Sequence, residues 1–177
     1  MYEIQTINCL KLFCDENMDD EVFILYIHSK GVRNAGNKLV TESWRKMMQY
    51  FLIEKWMSCI DNLSIYNTLG NNVVNMNSEN FEEVSINNSH TIHYSGNFWW
   101  SKKSYVKTLP YINIDLSKNL FNYRFKAENW ILSNYNKSNK NEKFGIIFQD
   151  DTNTHPYHRY IFDFYKEMDF IVKDLTI

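Results

Sequence analysis

The sequence predicts an α/β fold, a mostly parallel sheet flanked by helices. Three observations lead there. Short apolar runs rich in β-branched and aromatic residues alternate with segments whose apolar residues recur at helical spacing. Hydrophobic residues make up 44% of the chain and aromatics 16%, enough for a packed core. Only 5 Gly and 2 Pro in 177 residues argue against a loop-rich or repeat-turn architecture. At this length a single domain, residues 1–177, is the simplest organisation, and it would bury roughly 70% of its unfolded surface.

The elements follow in order. Ile4, Ile7, Leu10 and Phe13 or Cys14 set a helix over residues 3–17. An acidic turn, Asp15-Glu16 and Asp19-Asp20-Glu21, leads into Val22–Ile27, a continuous apolar stretch expected to be a strand buried on both faces. A polar loop from His28 to Asn37 precedes the clearest helix, Thr41–Asn62, with Thr41 as N-cap and an apolar stripe of Trp44, Met47, Met48, Phe51 and Leu52. A short strand, Ile65–Leu69, closes on Gly70-Asn71-Asn72. Residues 75–90 are a polar loop, and strand character resumes over Thr91–Trp100. A short helix over Ser101–Leu109 is stopped by Pro110. A second covers Lys126–Leu132, Phe144–Phe148 is a last strand, and Tyr160–Leu175 carries apolar residues at helical spacing.

The net charge of -2 gives no electrostatic reason to expect nucleic acid as a partner. Cys9, Cys14 and Cys59 are an odd set without C-x-x-C spacing and read as thiols in a reducing compartment. Glu3 interrupts the N-terminus before any run of signal-peptide length, and Val22–Ile27 is too short to span a bilayer. A soluble, cytoplasmic protein without a membrane span is expected.

The stretch His93-Tyr-Ser-Gly-Asn-Phe-Trp-Trp100 is the most informative in the chain. A Ser-Gly-Asn break lets backbone approach another group closely, since glycine has no Cβ. Adjacent tryptophans on a strand face opposite ways, so one can anchor the core while the other lines a cleft. His93, Ser95, Gly96 and Asn97 with Trp99 and Trp100 suit a sugar, whose apolar face stacks on indole while amides and hydroxyls take its rim.

Ligands of open α/β sheets collect beyond strand carboxyl ends. His28, Lys30 and Gly31, with Arg33 behind, follow the first strand there, and cations beside a glycine suit a diphosphate. The alternative is a sheet-capping histidine and a solvated lysine. Trp44-Arg45 could reach back over that loop, or be a core tryptophan beside a surface arginine. Asn71 sits on the same presumed edge, where a turn asparagine is also structurally at home. Glu128 is either half of an i,i+4 pair with Arg124 or a general base in a cleft. Asp150-Asp151 and His155-x-x-His158 invite a metal but would need ligands from elsewhere.

Four segments, Ile24-Leu-Tyr-Ile-His-Ser-Lys-Gly-Val32, Trp44-Arg-Lys-Met-Met-Gln-Tyr-Phe51, His93-Tyr-Ser-Gly-Asn-Phe-Trp-Trp-Ser101 and Arg124-Phe-Lys-Ala-Glu-Asn-Trp130, together carry a resemblance. The chain resembles glycosyltransferase-like proteins of giant DNA viruses and some bacteria, which use a GT-A-like (Rossmann-like) α/β fold. The match spans about residues 3–132, and the strand and helix over 144–175 lie beyond it. The resemblance implies hexosyl transfer, with inversion, from a nucleotide-sugar donor to a glycan or glycoprotein hydroxyl. It implies Glu128 as base, His28, Lys30, Gly31, Arg33 and Arg45 on the donor diphosphate, and Asn71, His93, Ser95, Gly96, Asn97, Trp99 and Trp100 on sugar and acceptor. Where such enzymes place an Asp-x-Asp metal motif, this chain reads His28-Ser29-Lys30, so Mn2+ or Mg2+ is left open rather than required. The resemblance further implies N-terminal nucleotide-binding strands ahead of the helix near Glu3, so that the chain would be a truncated copy, the product of a shifted start or a domain of reduced activity. For a viral protein the compartment would be the host cytoplasm. The competing expectation is a non-catalytic carbohydrate-binding or interaction module that keeps the acceptor wall.

Overall fold

The computed structural model describes residues 2–19, 21–28, 38–76, 91–114, 126–135, 143–148 and 170–175. Helix α1 (Tyr2–Glu16) leads into strand β1 (Phe23–Tyr26). Helix α2 (Lys38–Gln49) continues through a π-helical turn, Tyr50–Glu54, into α3 (Trp56–Asn62). Strands β2 (Thr68–Asn71), β3 (Val73–Met76), β4 (Thr91–Tyr94) and β5 (Trp99–Lys102) follow, then α4 (Lys103–Thr108). Helical residues 126–129 run into a 3-10 turn, Trp130–Leu132, before β6 (Phe144–Phe148) and β7 (Lys173–Asp174).

The α/β class holds; the mostly parallel sheet does not. The main sheet has five strands in the order β1-β5-β2-β6-β7, and only β2 and β6 pair in parallel. β5 inserts between β1 and β2 and runs against both, and β7 returns antiparallel beside β6. The apolar patterns that marked the strands encode which face a residue occupies, not which way the strand runs. A separate two-stranded sheet pairs β3 with β4. The run expected as one strand over Thr91–Trp100 is therefore two strands in two sheets, split at Ser95-Gly96-Asn97.

Both faces of the main sheet are covered. One cluster packs Ile4 and Ile7 of α1 with Tyr26, Tyr94, Trp99 and Trp130. The other packs Met47, Met48, Phe51 and Leu52 of the α2 limb with Leu69 and Phe98. Gly70 lies where these layers come closest to the small sheet: a Cβ there would collide with the Tyr94 ring. The Tyr94 hydroxyl crosses β2 and β6, donating to the carbonyls of Gly145 at 3.0 Å or Thr68 at 3.3 Å. Burial drives its acidity far below that of an ordinary tyrosine.

Several element expectations need correction. β1, an outer strand of the sheet, is not buried on both faces: Ile24 and Tyr26 are buried, whereas Phe23 is 40% exposed. Thr41 is not an N-cap, because α2 already begins at Lys38. The helix expected over Thr41–Asn62 is broken by the π turn, where the Lys55 amide reaches back to the Tyr50 carbonyl. That wider turn leaves carbonyls to side-chain donors: Trp100 Nε1 donates to Leu52 O at 2.7 Å and Cys59 Sγ to Phe51 O at 3.3 Å. Ile65 is exposed in a turn and β2 starts three residues later. Within the expected Tyr160–Leu175 helix, Lys173–Asp174 is strand, paired with Gly145 and Ile146. The rest of that helix up to residue 169 lies outside the described residues, as do residues 77–90. Among the described residues no helix is long and apolar enough to cross a membrane.

Candidate functional site

Strand directions decide which loops meet. β1, β2 and β6 share a direction, so His28, Asn71-Asn72 and the end of β6 lie at one edge. β5 runs the other way, and its entrance, not its exit, lies there. The turn before Trp99 therefore joins the loops after β1 and β2, whereas the chain after Trp100 leaves toward α4 at the far side.

At this edge Gly96 (φ 87) and Asn97 (φ 55) are consecutive left-handed residues. Glycine suits the first on both counts, since a Cβ there would stand 2.5 Å from Met48 Sδ and 3.3 Å from the Trp44 ring. Asparagine is among the residues that tolerate the second. The amide of Asn97 is then fixed at both ends. Its Nδ2 donates to Glu3 Oε1 at 2.6 Å, and its Oδ1 accepts from Trp99 Nε1 at 3.0 Å. Nδ2 also lies 3.5 Å from the Ala127 carbonyl, which brings the backbone next to Glu128 against the turn.

Glu3 gathers the other groups. The Tyr26 hydroxyl donates to Oε1 at 3.4 Å, and His28 Nε2 lies 3.9 Å away. Burial, and then the Glu3 carboxylate beside it, push the Tyr26 hydroxyl well above its ordinary range, so it stays protonated. His28 Nε2 is 2.8 Å from the Gly96 carbonyl, and its ring meets Phe98 edge-on at 5.3 Å. Tyr26 stacks on Trp99 with centroids 4.9 Å apart.

The structure thus brings His28, Gly96 and Asn97 together, with Glu128 one residue from a contact. Glu128 is half-buried. Trp99 and Trp100 face opposite ways, as the strand period required, but neither ring is a bare wall. Trp99 is 1% exposed, and Trp100 packs against the α2-side cluster. Trp99 is thus enclosed by the protein, while Trp100 remains half-buried. Ser95 is half-buried and His93 buried. Asn71 is 1% exposed, and neither atom of its amide has a hydrogen-bond partner among the described residues. Trp44 does reach the turn, from below, while Arg45 is half-buried on α2. Lys30, Gly31, Arg33, Arg124, Asp150, Asp151, His155 and His158 lie outside the described residues.

Sequence reasoning missed Glu3 as a site residue. The available signal was its position one turn before Ile7, on the buried side of an amphipathic helix, where a carboxylate needs a partner. As for a divalent cation, no three His, Cys, Asp or Glu side chains gather among the described residues. Glu3 and His28 offer two ligating side chains at most, and the Glu3 carboxylate already accepts from Asn97. These residues do not fit a metal.

A family model described as a domain of unknown function, DUF8361, matches residues 1–114. The chain belongs to that family. The matched part takes in Glu3, His28 and Asn97 as well as β1, β2 and β5, so the Glu3–Asn97–His28 arrangement lies within the DUF8361 region. No curated protein and no solved structure matches the chain.

Proposed function

We propose that this DUF8361 chain is a glycosyltransferase-like domain of GT-A type that moves a sugar from a nucleotide-sugar donor to an acceptor hydroxyl. One observation supports the reading most. His28, Asn71, the Ser95–Asn97 turn and the segment carrying Glu128 share the carboxyl edge of the parallel-running strands, where α/β sheets receive ligands. In this reading Glu128 takes the proton of the acceptor hydroxyl. The oxygen bonds the anomeric carbon, and the bond to the diphosphate breaks with its electron pair leaving on the nucleoside diphosphate. His28, Arg45 and the cations after β1 serve the donor side; Asn71, His93 and the turn serve sugar and acceptor.

A thermal-shift screen against nucleoside-diphosphate sugars, with and without manganese, tests binding, and donor turnover tests chemistry. Glu128→Gln is expected to cut transfer by about 100-fold or more while leaving binding in place. Transfer that continues unchanged removes Glu128 from the role, and the absence of any donor binding removes the transferase reading. A carbohydrate-binding module without catalysis is the second reading. It is favoured by the way Asn97 and Glu3 satisfy each other, and glycan binding without donor turnover would establish it.

A further inference from the structure

His28 has two ring nitrogens, and the surrounding protein accounts for one. Nε2 lies 2.8 Å from the Gly96 carbonyl oxygen. A carbonyl only accepts, so Nε2 carries the hydrogen. Glu3 Oε1, 3.9 Å from the same nitrogen, is a second acceptor and favours the same tautomer. In the neutral ring, Nδ1 is then the atom with the lone pair. The groups facing the ring among the described residues are Glu3 of α1, the Gly96 carbonyl, Phe98 and Tyr26. None of them gives a hydrogen to Nδ1, and the side chain keeps 29% of its surface open.

We propose that His28 is a specificity-determining contact that accepts a ligand hydroxyl through Nδ1, with Glu3 as its positioning residue. The inference rests on the transferase reading and refines it. An ionised diphosphate oxygen is itself an acceptor and cannot share a hydrogen with a lone pair, whereas a hexose or ribose hydroxyl can donate to it. His28 therefore meets the hydroxyl-bearing part of a donor, and the diphosphate is left to cationic side chains. Glu3 acts from a distance. It holds the Asn97 amide, and with it the left-handed turn that presents the Gly96 carbonyl to Nε2.

Long-range 15N NMR on histidine-labelled protein reads the tautomer directly. The wild type is expected to carry its hydrogen on Nε2 of His28. Glu3→Leu is expected to give a mixture of tautomers, and Glu3→Gln, which still accepts from Asn97, to restore the wild-type state. Wild-type protein with the hydrogen on Nδ1 overturns the proposal without any variant. Titration with UDP-glucose and GDP-mannose is expected to shift Nδ1, while inorganic pyrophosphate leaves it in place; a pyrophosphate shift at Nδ1 also overturns it. If no nucleotide sugar binds, the transferase reading falls alone. Glucose and ribose then decide His28: a shift at Nδ1 supports the contact, and no shift overturns it.

Discussion

Helix α1 ends in a polar cluster at each extremity, and the two are built differently. At its start, Glu3 is partly open and tied to a histidine with a ring nitrogen to spare. At its end, Lys103 of α4 is completely buried, its ammonium held by the carbonyls of Asn17, at 2.6 Å, and Asp19. Lys11 adds a bond to the Lys107 carbonyl at 3.1 Å and a pair with Asp15, which also accepts from Tyr111 at 2.8 Å. Asn8 and Ile112 exchange two further bonds, at 3.0 and 2.9 Å. The far cluster spends its hydrogen-bonding capacity on the protein and fastens α1 to α4. The near cluster leaves some unused and open to solvent. Charge and burial alone do not distinguish the two clusters; residual hydrogen-bonding capacity does.

The largest effect expected is at the far cluster. Lys103→Met leaves the Asn17 and Asp19 carbonyls without their ammonium donor and should cost about 3 kcal/mol, lowering Tm by roughly 6–12 °C in a thermal melt. Spectra of His28 should be unchanged in that variant, and a shift there would erase the distinction between the two ends. Next comes Gly96→Ala, where φ is left-handed and Met48 must move aside. It should cost about 1–2 kcal/mol and, unlike Lys103→Met, disturb the His28 tautomer. Equal loss of stability with an untouched His28 ring would mean that the turn does not set the imidazole.

The smallest effect is in the pH dependence of the far cluster. The Lys11 ammonium, and then the Tyr111 hydroxyl, hold the Asp15 carboxyl below its ordinary value. A carboxyl lowered on folding adds stability above its unfolded value, near 3.8, and that stability is lost as pH falls through the lower folded value. Being close to the surface, it should contribute about half a kcal/mol. Urea titrations at neutral pH and at pH 3 should show Asp15→Asn converging on the wild type in acid. Parallel curves would rule out that linkage.

Much of the fold was legible because periodicity reports faces. The alternation over Trp99-Trp100 put one ring on each side of the sheet, and the buried stripe of Met47, Met48, Phe51 and Leu52 marked a helix limb. The π turn within it was not legible, since a single wider turn barely disturbs the stripe. Strand Lys173–Asp174 was hidden because its pairing comes from β6, not from its own residues. In the site, the Ser-Gly-Asn break was visible as a backbone irregularity. What Asn97 would bind was not, because its partner lies 94 residues earlier.

By itself the sequence determined that helices and short strands alternate, where the chain turns sharply, and which side chains share a face. Those are local matters, set by the 3.6- and 2-residue periods and by glycine's freedom at positive φ. Only the tertiary structure decided that β5 runs against its neighbours, so that the turn before Trp99 meets the loop after β1. It alone made Glu3 part of that meeting. Packing brings distant segments together to bury apolar surface, and the polar groups that arrive with them must find partners there.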